Sequence, residues 1–140
     1  MEASALLQPV FVVALLSLAM AAWMLVTRIP KMSALGIDPQ DAQDTSRLRD
    51  LLPPETMRIS NNYNHLFEQP TVFYAVAISI AVLGQADTLH VQCAWAYAIL
   101  RVLHSLVQAT VDIVIVRFSL FTLSWVVLGV MTVRGALAAF

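Results

Sequence analysis

The sequence predicts an all-α integral membrane protein, a four-helix bundle with antiparallel neighbours in one domain, residues 1–140. Composition is the first reason: 59% of the residues are apolar and only 12% are charged, against about 25% charged in soluble domains. Distribution is the second, because the apolar residues form four stretches separated by polar connections. A helix needs roughly 20 residues to cross a bilayer, so a chain of this length has room for four spans.

The first predicted helix covers residues 8–27 and contains no charged residue. A cleaved signal peptide is the competing interpretation, but the residues ahead of this stretch carry Glu2 and no basic residue. The loop that follows, residues 28–60, holds ten of the seventeen charged residues and several turn-forming prolines. Its arginines and lysine place the loop in the cytoplasm by the positive-inside rule.

Three further helices are predicted at residues 61–84, 88–110 and 117–138. The second needs the polar turns from Asn61 onward to become long enough to span, and Pro70 is expected to kink it. The third is interrupted by Arg101 and His104. The connections after the second and third helices are short, so neighbouring helices are expected to pack antiparallel.

Several function classes are disfavoured by composition. The net charge of -1 gives no basic excess for nucleic acid. The single Cys93 excludes an internal disulfide and a metal site built from thiolates, and no metal site is expected. Sequence motifs of serine hydrolases, zinc proteases, P-loop enzymes and dinucleotide-binding enzymes are missing from the chain.

Two predicted helices carry polar stripes at helical spacing. The stripes consist of Asn61, Asn64, His65 and Glu68 on the second helix, and Arg101, His104, Ser105, Gln108 and Asp112 on the third. A charge at the bilayer centre costs about 2.5–3.5 kcal/mol, so both stripes are expected to turn inward, with Glu68 paired to Arg101 or His104. The alternative is that these residues only hold helices together, without chemistry.

Arginine outnumbers carboxylate near the cytoplasmic half of these helices. The basic residues there are Arg28, Arg101 and Arg117, and the acidic residues are Glu68 and Asp112. Because a guanidinium group matches a carboxylate with two parallel hydrogen bonds, the surplus predicts an anionic ligand in this half of the bundle.

The same residues resemble a known family. The run Asn61-Asn62-Tyr63-Asn64-His65-Leu66-Phe67-Glu68-Gln69-Pro70, with Val72-Phe73-Tyr74-Ala75 after it, is similar to the second helix of the MAPEG family (membrane-associated proteins in eicosanoid and glutathione metabolism). Ala94-Trp95-Ala96-Tyr97 with Arg101-Val102-Leu103-His104-Ser105, and Arg117-Phe118, are also similar to that family. The likeness covers the whole chain and is strongest to the bacterial branch, which implies a bacterial inner membrane.

The resemblance implies a homotrimer with sites between subunits, toward the cytoplasm, and glutathione as co-substrate. By position, Glu68 and His104 match a motif pair that steadies the second and third helices, and Arg101 matches a glutathione contact. Arg117 matches an arginine that stabilises the thiolate. Arg28 is similar to another contact.

This chain departs from the family pattern at four positions of the site. Asn61 and Asn64 stand where glutathione-using members carry arginines, His65 replaces an asparagine and Gln108 replaces a tyrosine. These four residues join the expected ligand set, whose other members are Arg28, Glu68, Arg101 and His104. Losing cationic contacts is expected to weaken binding, at about 1.5–3 kcal/mol for each charged hydrogen bond.

The resulting hypothesis is a membrane-bound transferase or peroxidase that uses glutathione or another thiol. Arg117, helped by the Ser105 hydroxyl, would stabilise the thiolate, and a lipophilic small molecule would arrive from the membrane lipid. The alternative is a non-catalytic binding or structural protein on the same fold. A transporter is disfavoured because the chain has no internal repeat.

Overall fold

A computed structural model describes residues 2–140, and over that range the protein consists of helices and connecting loops, with no strand. The α-helices are α1 (Glu2–Ala34), α2 (Leu48–Leu51), α3 (Pro54–His65), α4 (Gln69–Val82), α5 (Thr88–Ala109) and α6 (Val114–Ala139). Two short 3₁₀ helices, Pro39–Ala42 and Thr45–Arg47, lie in the first loop.

Helix α1 continues past residue 27, where the sequence analysis placed its end. Its 33 residues make it about 50 Å long, which exceeds the roughly 30 Å of a bilayer's hydrocarbon core. The helix ends where Gly36 adopts a φ of 67° and the Ile37 N–H bonds to the Met32 carbonyl at 2.9 Å. Gly36 adopts this left-handed conformation without the steric penalty of a side chain, so this glycine, rather than the first charged residue, decides where α1 stops.

The second predicted helix is two helices, α3 and α4, separated by a break at residues 66–68. Helix α3 starts at Pro54, earlier than residue 61, because proline suits the first position of a helix. The break precedes Pro70, which has no N–H to donate and whose ring would collide with the carbonyl four residues earlier in an uninterrupted helix. A kink was expected here, and the structure has a full interruption that leaves Glu68 outside both helices.

Helix α5 lies at the centre of the molecule and packs against α1, α3 and α6. Its buried residues recur every three or four positions and so form one face: His90, Ala94, Tyr97, Ala98, Arg101, His104, Ser105, Gln108 and Ala109. The first part of this face joins an apolar core, in which the Tyr97 and Phe73 rings stack 4.2 Å apart. The second part is polar and packs near α3.

Ion pairs and hydrogen bonds show how the helices run. The Arg134 guanidinium on α6 donates to both carboxylate oxygens of Asp87, at 3.1 and 2.7 Å, so α6 ends beside the start of α5. Arg58 on α3 donates to the Thr110 carbonyl at 2.9 Å, so α3 lies beside the end of α5. We call the end that holds Arg58 and Thr110 the loop end, and the end that holds Asp87 and Arg134 the far end.

Within residues 2–140, three segments are long and apolar enough to cross a membrane: Glu2–Ala34, Pro54–Val82 (α3 and α4 together) and Val114–Ala139. Helix α5 is absent from this set of candidates. Its composition explains why, since the polar residues of its buried face lower its mean hydropathy, yet those side chains face the protein interior and not the surroundings. The three spans support a membrane protein.

Candidate functional site

The polar half of the α5 face is sealed from solvent. Arg101 is 0% exposed and His104 2% exposed, and Ser105 and Gln108 are buried beside them. Asn62 of α3 is also buried. Buried side-chain atoms without a hydrogen-bond partner among residues 2–140 cluster here: Asn62 Nδ2 and Oδ1, Arg101 Nε and Nη2, His104 Nδ1, Ser105 Oγ and Gln108 Oε1.

Arg101 stands out in this cluster because its guanidinium group has no carboxylate within salt-bridge distance in the described chain. A buried, unpaired charge costs several kcal/mol of desolvation. The sequence expectation that Glu68 pairs with Arg101 or His104 is therefore not met. Glu68 lies in the break between α3 and α4 and bonds His65 instead.

A polar groove of about 320 Å³ opens at the loop end. Its wall is made by Arg49, Asn61, Asn64, His65, Glu68, Gln108 and Arg117. Most of these residues come from the end of α3 and the following break, while α5 contributes Gln108 and α6 contributes Arg117. Two guanidinium groups and three amide side chains give the groove donors suited to a ligand with carboxylate and peptide groups.

An apolar pocket of about 180 Å³ adjoins this groove. It is lined by His65, His104, Val114, Arg117, Phe118 and Phe121. Val114 and Phe118 are exposed near the start of α6. His65 and Arg117 line both the polar groove and the apolar pocket, so these two side chains stand at the junction between a polar and an apolar compartment.

The imidazole of His65 is held by Glu68, with 3.1 Å between His65 Nδ1 and Glu68 Oε2. Its ring centroid lies 6.3 Å from that of His104, in an edge-on arrangement. His65 and Glu68 have side chains 41% and 64% exposed, whereas His104 is buried. A ligand in either compartment can therefore reach His65 more readily than His104.

Arg117 is positioned by the turn between α5 and α6. Its guanidinium donates a hydrogen bond to Asp112 Oδ1. The same carboxylate lies 4.0 Å from Arg58 Nε. The positive charge of Arg117 is thus partly balanced within the chain. The residue that orients its guanidinium, Asp112, lines neither the polar groove nor the apolar pocket.

The structure brings together most, but not all, of the residues that the sequence predicted for the site. Six of them line the polar groove: Asn61, Asn64, His65, Glu68, Gln108 and Arg117. His104 lines the apolar pocket. Arg28, Arg101 and Ser105 line neither compartment, since Arg28 bonds Ser60 Oγ at 2.7 Å and the other two are buried.

Some lining residues were not anticipated from the sequence. Arg49 belongs to the one-turn helix α2 in the first loop, and nothing in its local spacing ties it to the site. Phe121 and Val114 are ordinary apolar residues of α6 by sequence. Asn62 lines neither compartment but belongs to the buried polar cluster, and its three- and four-residue spacing from the apolar Ile59 and Leu66 indicates the inner face of α3.

The far end carries a separate charged cluster. Asp87 accepts hydrogen bonds from the Arg134 guanidinium and from the His90 backbone N–H, at 2.9 Å for the latter. The Arg134 guanidinium and the His90 N–H hold the pKa of the Asp87 carboxyl well below its usual range. This cluster joins the α4–α5 loop to the end of α6, opposite the groove.

Comparison with known proteins gives the family of the chain. A family model described as the MAPEG family matches residues 6–137, nearly the full chain. No curated protein matches the chain, and no solved structure matches it. The match includes every residue of the polar groove and the apolar pocket, and the chain therefore belongs to the MAPEG family.

Proposed function

We propose that this protein is a membrane-bound thiol transferase or peroxidase, with glutathione as co-substrate and a lipophilic electrophile as second substrate. The observation that carries the proposal is the junction at His65 and Arg117, where a polar groove meets an apolar pocket. Conjugation of a peptide thiol to a lipophilic molecule needs two such compartments in contact.

The polar groove suits the thiol peptide. Arg49 and Arg117 are available to its carboxylates, and Asn61, Asn64 and Gln108 to its amide groups. Arg49 supplies a cation that the second helix lacks. One charged hydrogen bond contributes about 1.5–3 kcal/mol, so Arg49 partly offsets the asparagines that replace arginines.

The apolar pocket suits the electrophile. Phe118 and Phe121 form one wall with Val114, near the start of α6. Because Phe118 and Val114 are exposed on an apolar membrane-capable helix, a molecule dissolved in lipid reaches this pocket without crossing water.

The reaction uses Arg117 to stabilise the thiolate. A guanidinium group aimed at developing negative charge, in a site with little water, favours the ionised sulfur. In conjugation the sulfur forms a bond to the electrophilic carbon while the leaving group departs with its electron pair. In the peroxidase reaction the thiolate attacks a peroxide oxygen and the O–O bond breaks, which releases an alcohol and leaves a sulfenic acid. A second thiol then attacks the sulfenic sulfur, which forms a disulfide and releases water. Ser105 is buried and lines neither compartment, so its hydroxyl has no contact through which it would help to stabilise the thiolate.

We further propose a four-helix bundle that assembles as a homotrimer in a bacterial inner membrane, with the loop end in the cytoplasm. Orientation is supported by the basic residues of the first loop and its borders, Arg28, Lys31, Arg47, Arg49 and Arg58. Exposed apolar side chains along α1 and α6 provide surface for lipid and for neighbouring subunits.

A non-catalytic binding protein is the second candidate, and one observation favours it. The Arg117 charge is shared with Asp112, and Asn61 and Asn64 add no charge to the groove. Such a groove could hold a peptide without ionising its thiol.

The deciding experiment is ultraviolet difference spectroscopy of the purified protein with glutathione. The proposal expects a thiolate band that appears on addition of glutathione and is lost when S-methyl glutathione replaces it. Binding of both peptides by calorimetry without a thiolate band supports the non-catalytic candidate. Absence of binding at millimolar glutathione contradicts both.

A further inference from the structure

We propose that His65 is the general base that removes the proton from the thiol, with Glu68 fixing the orientation and tautomer of its ring. This inference rests on the proposed function and adds a proton acceptor to it. Arg117 stabilises a thiolate, but a guanidinium group remains protonated and cannot take the thiol proton.

The hydrogen bond between His65 and Glu68 determines which ring nitrogen is free. An ionised carboxylate only accepts hydrogen bonds, so His65 Nδ1, at 3.1 Å from Glu68 Oε2, carries the hydrogen. His65 Nε2 then has a free lone pair. This is the arrangement in which a carboxylate orients an imidazole and stabilises its protonated form.

The position of His65 matches the place where the thiol must lose its proton. His65 lines the polar groove, where the peptide binds, and the apolar pocket, where the electrophile binds. Arg117 lines the same two compartments, so the proton acceptor and the stabilising cation face one shared space. When the peptide thiol lies between His65 and Arg117, its sulfur is next to the electrophile in the apolar pocket.

The other ionisable groups around the site do not replace His65. His104 on α5 is buried and lines only the apolar pocket, so it does not reach the polar groove in which the peptide binds. Arg49 from the loop and Arg117 from α6 are cations. Asp112, behind Arg117, is engaged by its guanidinium and lines neither compartment.

The proton transfer balances as follows. The S–H bond breaks, the proton forms a bond to His65 Nε2, and the electron pair stays on sulfur as the thiolate. The thiolate forms the C–S bond to the electrophile, whose leaving group departs as an anion. The imidazolium then releases its proton to water, which restores the neutral ring.

The test is the pH dependence of conjugation of glutathione to an aryl halide by the full-length protein in lipid nanodiscs. The variants are His65→Gln, which keeps a hydrogen-bond donor but no titrating group, and Glu68→Gln. Glu55→Gln is the matched control, since Glu55 is an exposed carboxylate at the start of α3, away from both compartments.

In the wild type the rate is expected to fall on acidification, because a protonated imidazole has no free lone pair with which to accept the thiol proton. His65→Gln is expected to lower the rate about 10²–10⁴-fold and to remove that acid limb. Glu68→Gln is expected to shift the pH at which the rate falls, and Glu55→Gln is expected to leave it unchanged. Thermal unfolding of each variant shows whether the fold is retained.

Chemical rescue gives a second readout. With His65→Ala, added imidazole is expected to restore conjugation in proportion to its neutral form, and to have no effect on wild type or Glu55→Gln. A folded His65→Gln protein with the wild-type rate and acid limb overturns the role of His65. A wild type without any thiolate band or conjugation overturns the proposed function itself, so the two failures are distinguishable.

Discussion

Arg117 and Asp112 are joined by a hydrogen bond across the turn between α5 and α6. Asp112 has a φ of 48°, and it is the one non-glycine residue in the described range whose φ is positive. Its N–H bonds the Val107 carbonyl at 2.7 Å, which closes the turn after α5. The bond therefore connects the backbone that ends α5 to the side chain that meets the ligand space, and Asp112 both shapes the turn and aims Arg117.

Two substitutions at Asp112 separate these roles. Asp112→Asn keeps a side chain that tolerates the left-handed conformation but removes the charge that balances Arg117. The thiolate fraction at fixed pH is expected to rise by up to about fivefold, in line with the 0.2–1 kcal/mol of a partly exposed ion pair. Ultraviolet titration of glutathione measures it.

Asp112→Ala has the opposite expected outcome. It loses the guanidinium contact and places alanine at positive φ, at a cost of about 1–2 kcal/mol in the turn. A lower unfolding temperature and a smaller thiolate fraction follow. Equal thiolate fractions in both variants and wild type would show that Asp112 does not influence Arg117.

Arg117→Ala is expected to reduce conjugation about 10²–10³-fold, because it removes the cation next to the thiolate. The oligomer, measured by native mass spectrometry, is expected to persist, since Arg117 contacts the ligand space and its own turn. Arg47→Ala, an exposed residue of the first loop, is the matched control. Wild-type conjugation in Arg117→Ala would remove this residue from the mechanism.

The far end predicts a pH effect on stability. Because Arg134 lowers the pKa of Asp87, the ionised carboxylate contributes stability above the pKa of the unfolded chain, near 3.9, and loses it as the pH falls further. Asp87→Asn is therefore expected to unfold at a lower temperature than wild type at neutral pH.

That difference is expected to shrink once the pH is well below about 4, because wild type then loses the same ion pair. Calorimetric or fluorescence melting over this pH range measures it, with Glu55→Gln as control. A difference that is independent of pH would show that the charge of Asp87 does not contribute to stability, since asparagine can still accept the hydrogen bond from the His90 N–H.

Arg101 gives a prediction about buried charge. Its Nε and Nη2 atoms have no hydrogen-bond partner in the part of the chain that the structure describes, and its side chain is 0% exposed. Arg101→Met fills similar volume without a charge and is expected to unfold at the wild-type temperature or above, as in other exchanges of buried ions for apolar residues. Arg101→Ala leaves a cavity and is expected to lose about 2–5 kcal/mol. A large loss in Arg101→Met would show that the guanidinium is stabilised by a partner outside the chain.

The break between α3 and α4 shows how much of the backbone path can be predicted from the local sequence. Pro70 predicted a disturbance, but it could not reveal that Glu68 would leave the helix and turn to His65. In a continuous helix Glu68 would share the inward stripe with Asn61 and His65, which is why Arg101 was its expected partner. Whether Glu68 meets the neighbouring His65 or the sequence-distant Arg101 depends on the path of the backbone through the break.

The sequence by itself determined the helical membrane class, the family and the polar stripes, because composition, helical spacing and local motifs are properties of neighbouring residues. It also indicated most of the groove: Asn61, Asn64, His65, Glu68, Gln108 and Arg117. Only the tertiary structure decided that Arg49 joins the groove from the first loop, that Arg28 turns to Ser60, and that Arg101 and Ser105 are sealed inside. These outcomes depend on which helices pack together, and packing is set by contacts between residues far apart in the chain.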